Sequence, residues 1–399
     1  MGVSLLLRPA AVFDGERRQE DWTVRIEGDR IVAAGPRAAE PHASENGDEI
    51  VDLPGATLLP GLIDLHTHLF LVPYDVRSWD DQVLRDHAAL RVARAVAAAQ
   101  RTLAAGFTTV RDLGTEGAGE ADIGLRRAID EGSIPGPHIV PVTRAIVARG
   151  FYGPAGFVPD CAVPQGADEV DGPESIYTVV RRQISRGAEW IKVYADSRHG
   201  PGARSRPAFS QADLALIVRI AADSGCPVAA HANTAEAMRR AALAGVATIE
   251  HGNEGTPEVF ALMAERGVAY VPTLAAYEAI WSYRGAPDGD GAATQKRAAF
   301  ASARTSGVTI ANGSDIGVFP HGENARELER LVDHGLSPLE ALRAATSTAA
   351  GVLGRGDIGC VRAGARADLV AFRGDPTSDI SALRQVELVV TRGNCRSAT

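Results

Sequence analysis

Two histidines one residue apart, His66-Thr67-His68, end the apolar run Leu58-Leu59-Pro60-Gly61-Leu62-Ile63-Asp64-Leu65. Such a run reads as a buried strand, and side chains two apart in a strand share a face, so both imidazoles project together. Two imidazoles side by side can grip one divalent ion. More ligand-type residues end apolar runs in the same way: His231 after Pro227-Val228-Ala229-Ala230, His251 after Ala247-Thr248-Ile249-Glu250, and Asp315 in Asn312-Gly313-Ser314-Asp315. Lys192 lies inside another, Trp190-Ile191-Lys192-Val193-Tyr194. Singly, His231 or His251 could be a hydrogen-bonded histidine and Asp315 a turn cap. Jointly they argue for metal, because unconnected residues have no reason to select strand ends.

The elements that must position these groups are eight strand-like runs, beginning near Leu58, Phe107, His138, Trp190, Pro227, Ala247, Ala269 and Thr309. Helical stretches separate them, among them 82–105, 121–132, 174–187 and one opening at Ser210, whose spacing to Asp213 makes a capping box. Gly225, Gly245 and Gly267 stand where helices close, and Ser337-Pro338-Leu339-Glu340 opens the last one. Eight such units over roughly 290 residues predict an α/β fold, a (β/α)8 TIM barrel, since parallel strands need crossover helices and eight strands close the sheet. Functional groups in such barrels sit at the C-terminal strand ends, which turns His66, His68, Lys192, His231, His251 and Asp315 to one mouth. Residues 1–57 read as short strands with an exposed loop at 36–48, and 356–399 return to strands. The expected organisation is a barrel over 58–355 and one small β-sandwich built from both termini. A loop of about thirty residues follows the third strand, a length that usually signals function.

With 45% hydrophobic and 23% charged residues in 399, the chain has the composition of a folded globular protein. A net charge of -9 argues against a nucleic-acid footprint and for a small-molecule or dipeptide partner. No leader pattern and no membrane-length apolar run is present, so the expectation is a cytoplasmic protein, with homo-oligomerisation left open. Cys161, Cys226, Cys360 and Cys395 are far apart and read as inert, buried or small residues. Among 41 basic residues only Lys192 and Lys296 are lysines, so each has a fair claim to a task arginine cannot perform.

Four imidazoles and a carboxylate exceed what one zinc ion needs, which makes two metals the economical account. Metal pairs sit about 3.5–4 Å apart and call for an anionic bridge. Lys192 could supply it if carbamylated by CO2, which arginine could not be; the alternative is a buried lysine paired with an acid. Tyr152, Tyr194, Arg198, His199, Asn233, Tyr277 and His321 are the substrate-facing candidates, while His138 reads as structural.

The motifs Leu59-Pro60-Gly61-Leu62-Ile63-Asp64-Leu65-His66-Thr67-His68, Trp190-Ile191-Lys192-Val193, His231-Ala232, Ile249-Glu250-His251-Gly252, Ser314-Asp315 and Ala367-Asp368-Leu369-Val370 resemble the amidohydrolase superfamily, and within it the imidazolonepropionase-like and Xaa-Pro dipeptidase group. The resemblance implies two divalent ions, zinc or alternatively manganese. His66 and His68 would bind the more buried ion, His231 and His251 the more exposed one, carbamylated Lys192 both, and Asp315 would be ligand and proton shuttle. It also implies cleavage of an amide C–N bond, in a dipeptide or N-acyl amino acid, by a hydroxide held between the ions. The alternatives are a mononuclear deaminase using Glu236, a cyclic amide or lactone hydrolase, and a non-catalytic scaffold. After the lysine strand this chain departs from many relatives, with Ala195-Asp196-Ser197-Arg198-His199-Gly200-Pro201-Gly202.

Overall fold

The computed structural model describes residues 4–36, 49–158, 160–198, 204–285 and 291–397. Most of the expected loop at 36–48 and the Gly200-Pro201-Gly202 stretch lie outside the described residues. The chain opens with β1 (Leu5–Phe13), β2 (Arg18–Glu20), β3 (Trp22–Glu27), β4 (Arg30–Pro36) and β5 (Glu49–Pro60). Alternation follows: β6 (Leu62–Thr67), α1 (Trp79–Arg85), α2 (Ala88–Ala104), β7 (Phe107–Asp112), α3 (Ala121–Asp130), β8 (His138–Pro141), β9 (Ile146–Ala148) and β10 (Asp168–Val170). Next come α4 (Pro173–Ser185), β11 (Ile191–Tyr194), β12 (Asp196–Arg198), β13 (Ser205–Pro207), α5 (Gln211–Ala222), β14 (Val228–Ala232), α6 (Ala235–Ala244), β15 (Thr248–His251), α7 (Pro257–Arg266) and β16 (Ala269–Val271). The chain ends with α8 (Leu274–Tyr283), α9 (Gly291–Thr305), α10 (Ala325–Asp333), α11 (Pro338–Ala344), α12 (Ser347–Val352), β17 (Leu369–Arg373), β18 (Val386–Thr391) and β19 (Asn394–Ser397).

Two compact units result. The first comprises Met1–Asp64, Gln100–Thr109 and Gly322–Thr399. Here the two chain ends do pair, in one sheet of order β19-β18-β17-β5-β1-β3-β4 with β2 on β1. Hydrogen bonding runs through it without a break because β5 pairs with both β1 and β17. Leu5, Leu7, Val24, Leu58, Leu369 and Val390 are among its buried apolar side chains, and this burial is what holds N- and C-terminal strands together. The strand expected to start at Leu58 is two strands. Leu58–Pro60 pair with β17, Gly61 N–H donates to Asp368 O (2.7 Å), and β6 starts afresh at Leu62.

The second unit comprises Leu65–Ala99 and Val110–His321. It holds parallel strands in the order β9-β11-β14-β15-β16, joined through α5, α6 and α7, which pack in series. Their ends are set by local signals: Ser210 caps α5 in a full capping box with Asp213, Thr234 and Thr256 cap α6 and α7, and left-handed Gly245 and Gly267 close those two helices. Backbone bonds continue this unit beyond those strands: Glu189 N–H donates to Pro141 O (2.9 Å) at the end of β8, Tyr270 N–H to Thr309 O (2.8 Å) and Leu65 N–H to Asn312 O (3.0 Å). Residues 309–316 thus bridge β16 and the end of β6, yet the expected eighth strand is only an isolated bridge at Ile310. Asp315, at φ 58, leaves the extended region and ends any regular ladder. The helix expected over 82–105 also divides, because Asp86 turns extended, with its carboxylate held by Arg77 (2.8 Å) and Arg94 (2.7 Å). The long loop after the third strand contains β9 and β10. All four cysteines are free; Cys226 is buried, while Cys161 and Cys395 are exposed. No helix among the described residues is long and apolar enough to cross a membrane.

Candidate metal centre and active site

His66 and His68 extend from the end of β6, both buried, and their outer nitrogens are anchored before anything binds. His66 Nδ1 donates to Glu250 Oε2 (2.9 Å), and His68 Nδ1 donates to Gly114 O (2.8 Å). Both Nε2 atoms therefore face Asp315 Oδ1, at 3.5 and 3.3 Å. One ligand atom from each of His66, His68 and Asp315 falls within 4.8 Å of the others, a group that could hold a metal ion. Gly313 permits this approach, since a Cβ there would lie 2.9 Å from His66 Cβ and 2.4 Å from Val271 Cγ1.

His251, His231 and Lys192 stand around that group. The His66 and His251 rings are 5.0 Å apart, and His251 and His231 are 4.5 Å apart. His251 Nδ1 is 2.8 Å from Thr273 Oγ1. Asn233 Nδ2 donates to His231 Nε2 (2.8 Å), which also lies 3.5 Å from Asp196 Oδ1, and Tyr194 stacks on its ring at 4.5 Å. Asp196 is fully buried and accepts from the backbone N–H of Asn233 (2.8 Å) and Thr234 (2.7 Å), fixing the turn after β14. Lys192 is fully buried on β11, and its Nζ has no hydrogen-bond partner among the described residues. Glu116, His251, Thr273 and Asp315 adopt left-handed backbone without being glycine, at φ 51, 70, 52 and 58. Such conformations cost of order 1 kcal/mol or more each and gather at functional sites.

Burial, followed by the Lys192 charge, holds the His66 imidazole well below its usual value, and burial with His231 and His66 does the same for His251. Burial works against protonated His68 too, but Asp315, Glu116 and the Gly114 carbonyl outweigh it and lift His68 to about 9. Burial would raise Asp315, yet His66, His68 and Lys192 keep it below the usual carboxylate range and ionised. Burial lowers Lys192 to about 8 against the pull of Glu250 and Asp315.

His66, His68, His231, His251 and Asp315 line a cavity of ≈ 330 Å³. Of the substrate-facing candidates, Tyr152, Tyr194, Arg198, Asn233 and Tyr277 line it. His199 lies outside the described residues. His321 does not line it: the side chain is buried with Nε2 3.0 Å from Leu71 O, so it serves the backbone instead of a ligand. Glu236 is not in the lining either. It is half-exposed on α6, where hydrogen bonds from Arg239 and Arg240 hold its carboxyl at about 2.

Two further carboxylates, Glu250 and Glu116, support the site. Glu250 precedes His251 in β15 and is itself fixed by Arg111 (3.0 Å), whose guanidinium lies 4.4 Å over the Trp190 ring. Glu116 follows β7 and accepts from Trp79 Nε1 (2.8 Å) and Tyr152 OH (2.6 Å). Its loop is clamped by buried Arg91, which donates to Thr115 O (2.8 Å) and Glu116 O (2.7 Å). Acidic residues at strand ends were the available signal, had Glu been counted beside His and Asp.

The Amidohydrolase family model matches residues 57–395. An ochratoxinase from Aspergillus niger is 32% identical, over 83% of this chain and 73% of its own length. An imidazolonepropionase from Haloarcula marismortui is 28% identical over 90% of this chain and 86% of its own. Among solved structures, a Xaa-Pro dipeptidase with methionine in its active site superposes with a TM-score of 0.89 at 30% identity, covering 99% of this chain and 100% of that one.

Proposed function

We propose that this chain, which belongs to the amidohydrolase family, uses two metal ions to hydrolyse the amide bond of a small substrate, a dipeptide or an N-acyl amino acid. In this reading residues 58–355 form a (β/α)8 barrel, and 1–57 with 356–399 form the second domain. The observation that carries it is Lys192. A fully buried amine with no hydrogen-bond partner among the described residues, near enough to His66, His251 and Asp315 to act on all three by its charge, is what a carbamate bridge requires before CO2 adds, and at about 8 its uncharged form is accessible near neutral pH. The donor set fits a metal pair as well, since His66 and His251 are held neutral with a lone pair to give.

His66, His68 and Asp315 would hold one ion, His231 and His251 the other, and carbamylated Lys192 both. Zinc is the expected metal and manganese the alternative. When bound, the ions supply a water of lowered pKa and polarise the substrate carbonyl. Asp315, kept ionised, takes a proton from the attacking water at a carboxylate oxygen and delivers it to the departing nitrogen as the C–N bond breaks. Glu250 and the Gly114 carbonyl keep His66 and His68 in one tautomer and orientation throughout.

The test is reconstitution. Apoprotein given zinc in bicarbonate-free buffer is expected to hydrolyse Xaa-Pro dipeptides and N-acyl amino acids slowly, and bicarbonate to restore both the rate and a second zinc per chain. Full activity with one zinc and no bicarbonate would end the proposal.

A further inference from the structure

Helix α8 follows the seventh strand directly and presents Tyr277, Ile280, Trp281 and, at its C-cap, Arg284 to the cavity. The spacing i, i+3, i+4, i+7 is one face of a helix, so these four form a single stripe running outward from the β16 end. Tyr277 and Trp281 stack with their rings 5.5 Å apart and 9° from parallel, an apolar wall with a cation at its outer tip. A second cation, Arg198 at the end of β12, also lines the cavity. Arg198 is near enough to Arg284 to lower its pKa, after burial. Among the described residues neither guanidinium makes an ion pair, although Glu254 feels Arg198 from a greater distance. In a chain of net charge -9, two unpaired arginines at one mouth oppose the general field. The cavity's carboxylates, Glu116 and Asp315, belong to the metal-centre wall.

We propose that the α8 stripe and Arg198 form the subsite for the amino-acid half of the substrate, Tyr277 and Trp281 taking an apolar side chain while Arg284 and Arg198 take a free carboxylate. This rests on the amide-hydrolase reading above and narrows it to N-acyl derivatives, dipeptides included, of apolar amino acids. Water adds across the C–N bond, leaving a carboxylate on the acyl half and releasing the amino acid with its amine. Planar guanidinium groups suit this task because they meet a carboxylate through paired N–H donors. Carboxamides, esters and lactones bring no anion to that end and gain nothing from it.

The probes are N-acetyl-L-phenylalanine, its carboxamide and N-acetylglycine, assayed by calorimetric binding to the metal-replete protein and by hydrolysis. The acid should bind roughly 10–100-fold more tightly than the carboxamide, the range for hydrogen bonds to charged groups. Arg198→Met with Arg284→Met should erase that preference, and Trp281→Ala should erase the preference for the phenylalanine over the glycine derivative. Equal affinity of the native protein for acid and carboxamide, or a preference that survives the double variant, would overturn the subsite. Selective binding of the acid without hydrolysis of any probe would keep the subsite and sink the amide-hydrolase reading. Equal kcat/KM for acid and carboxamide would do the reverse.

Discussion

Strand β11 and helix α9 each bury one of the chain's two lysines, and they treat the ammonium in opposite ways. Lys296, 2% exposed on α9, donates to Pro272 O (2.6 Å) and to His251 O, bracing the backbone where β15 and β16 end. Lys192, at 0%, donates to nothing among the described residues. A satisfied ammonium is a structural tie. An unsatisfied one sheds its proton more readily, and the free amine is then a nucleophile for an electrophile such as CO2, at a cost in stability that only binding can recover. Composition singles out both residues in this arginine-rich chain, and only their surroundings separate them.

The two lysines should respond differently to substitution. Lys192→Arg keeps charge and approximate length but cannot form a carbamate, so metal analysis should find at least one ion lost and turnover should fall by roughly 10² or more. Near-normal activity with two metals would place Lys192 beside Lys296 as a brace.

Titration sharpens the contrast. Lys192 falls from 10.5 to about 8 on folding, so between those values the unfolded chain binds more protons and stability rises with pH. The metal-free protein should gain about 3 kcal/mol in urea unfolding from pH 8 to 10.5, and Lys192→Met should remove that slope. An unchanged slope would mean that the buried amine is not its source.

Lys296→Met leaves two carbonyls without their charged donor, and thermal unfolding should report a loss of about 2 kcal/mol. Metal content should fall less than in the Lys192 variants, since the effect on His251 passes through its backbone. The smallest effect is expected at Glu236→Gln, less than about twofold in rate, because that carboxylate is engaged by Arg239 and Arg240 on the surface. A hundredfold loss there would restore the deaminase reading.

Much of this could be read from the chain before its structure, for physical reasons that differ by region. Strand-end histidines declare themselves because alternation fixes which way they point, and helices α5, α6, α7 and α11 carry their caps in the sequence. The eighth strand was misjudged because its ladder depends on Gly313 and left-handed Asp315, a conformation set by packing against His66 and not by local propensity. His321 reaches Leu71 O, and a buried histidine serving a carbonyl looks the same in sequence as one serving a ligand. Glu250 and Arg111 stayed hidden for a related reason. Their partnership spans 139 positions of sequence, and nothing local announces it.

The placement of the α8 stripe bears on how such an enzyme could be retargeted. Wall and cation occupy one interval, Tyr277 to Arg284, whereas every candidate metal ligand lies outside it. A cassette of eight codons could therefore be randomised as a library without altering a single ligand. Diversity would be confined to the recognition surface while the chemistry stayed constant. Selection on such a library would read out specificity alone, provided Lys296 is spared to hold the β16 end from which the helix departs.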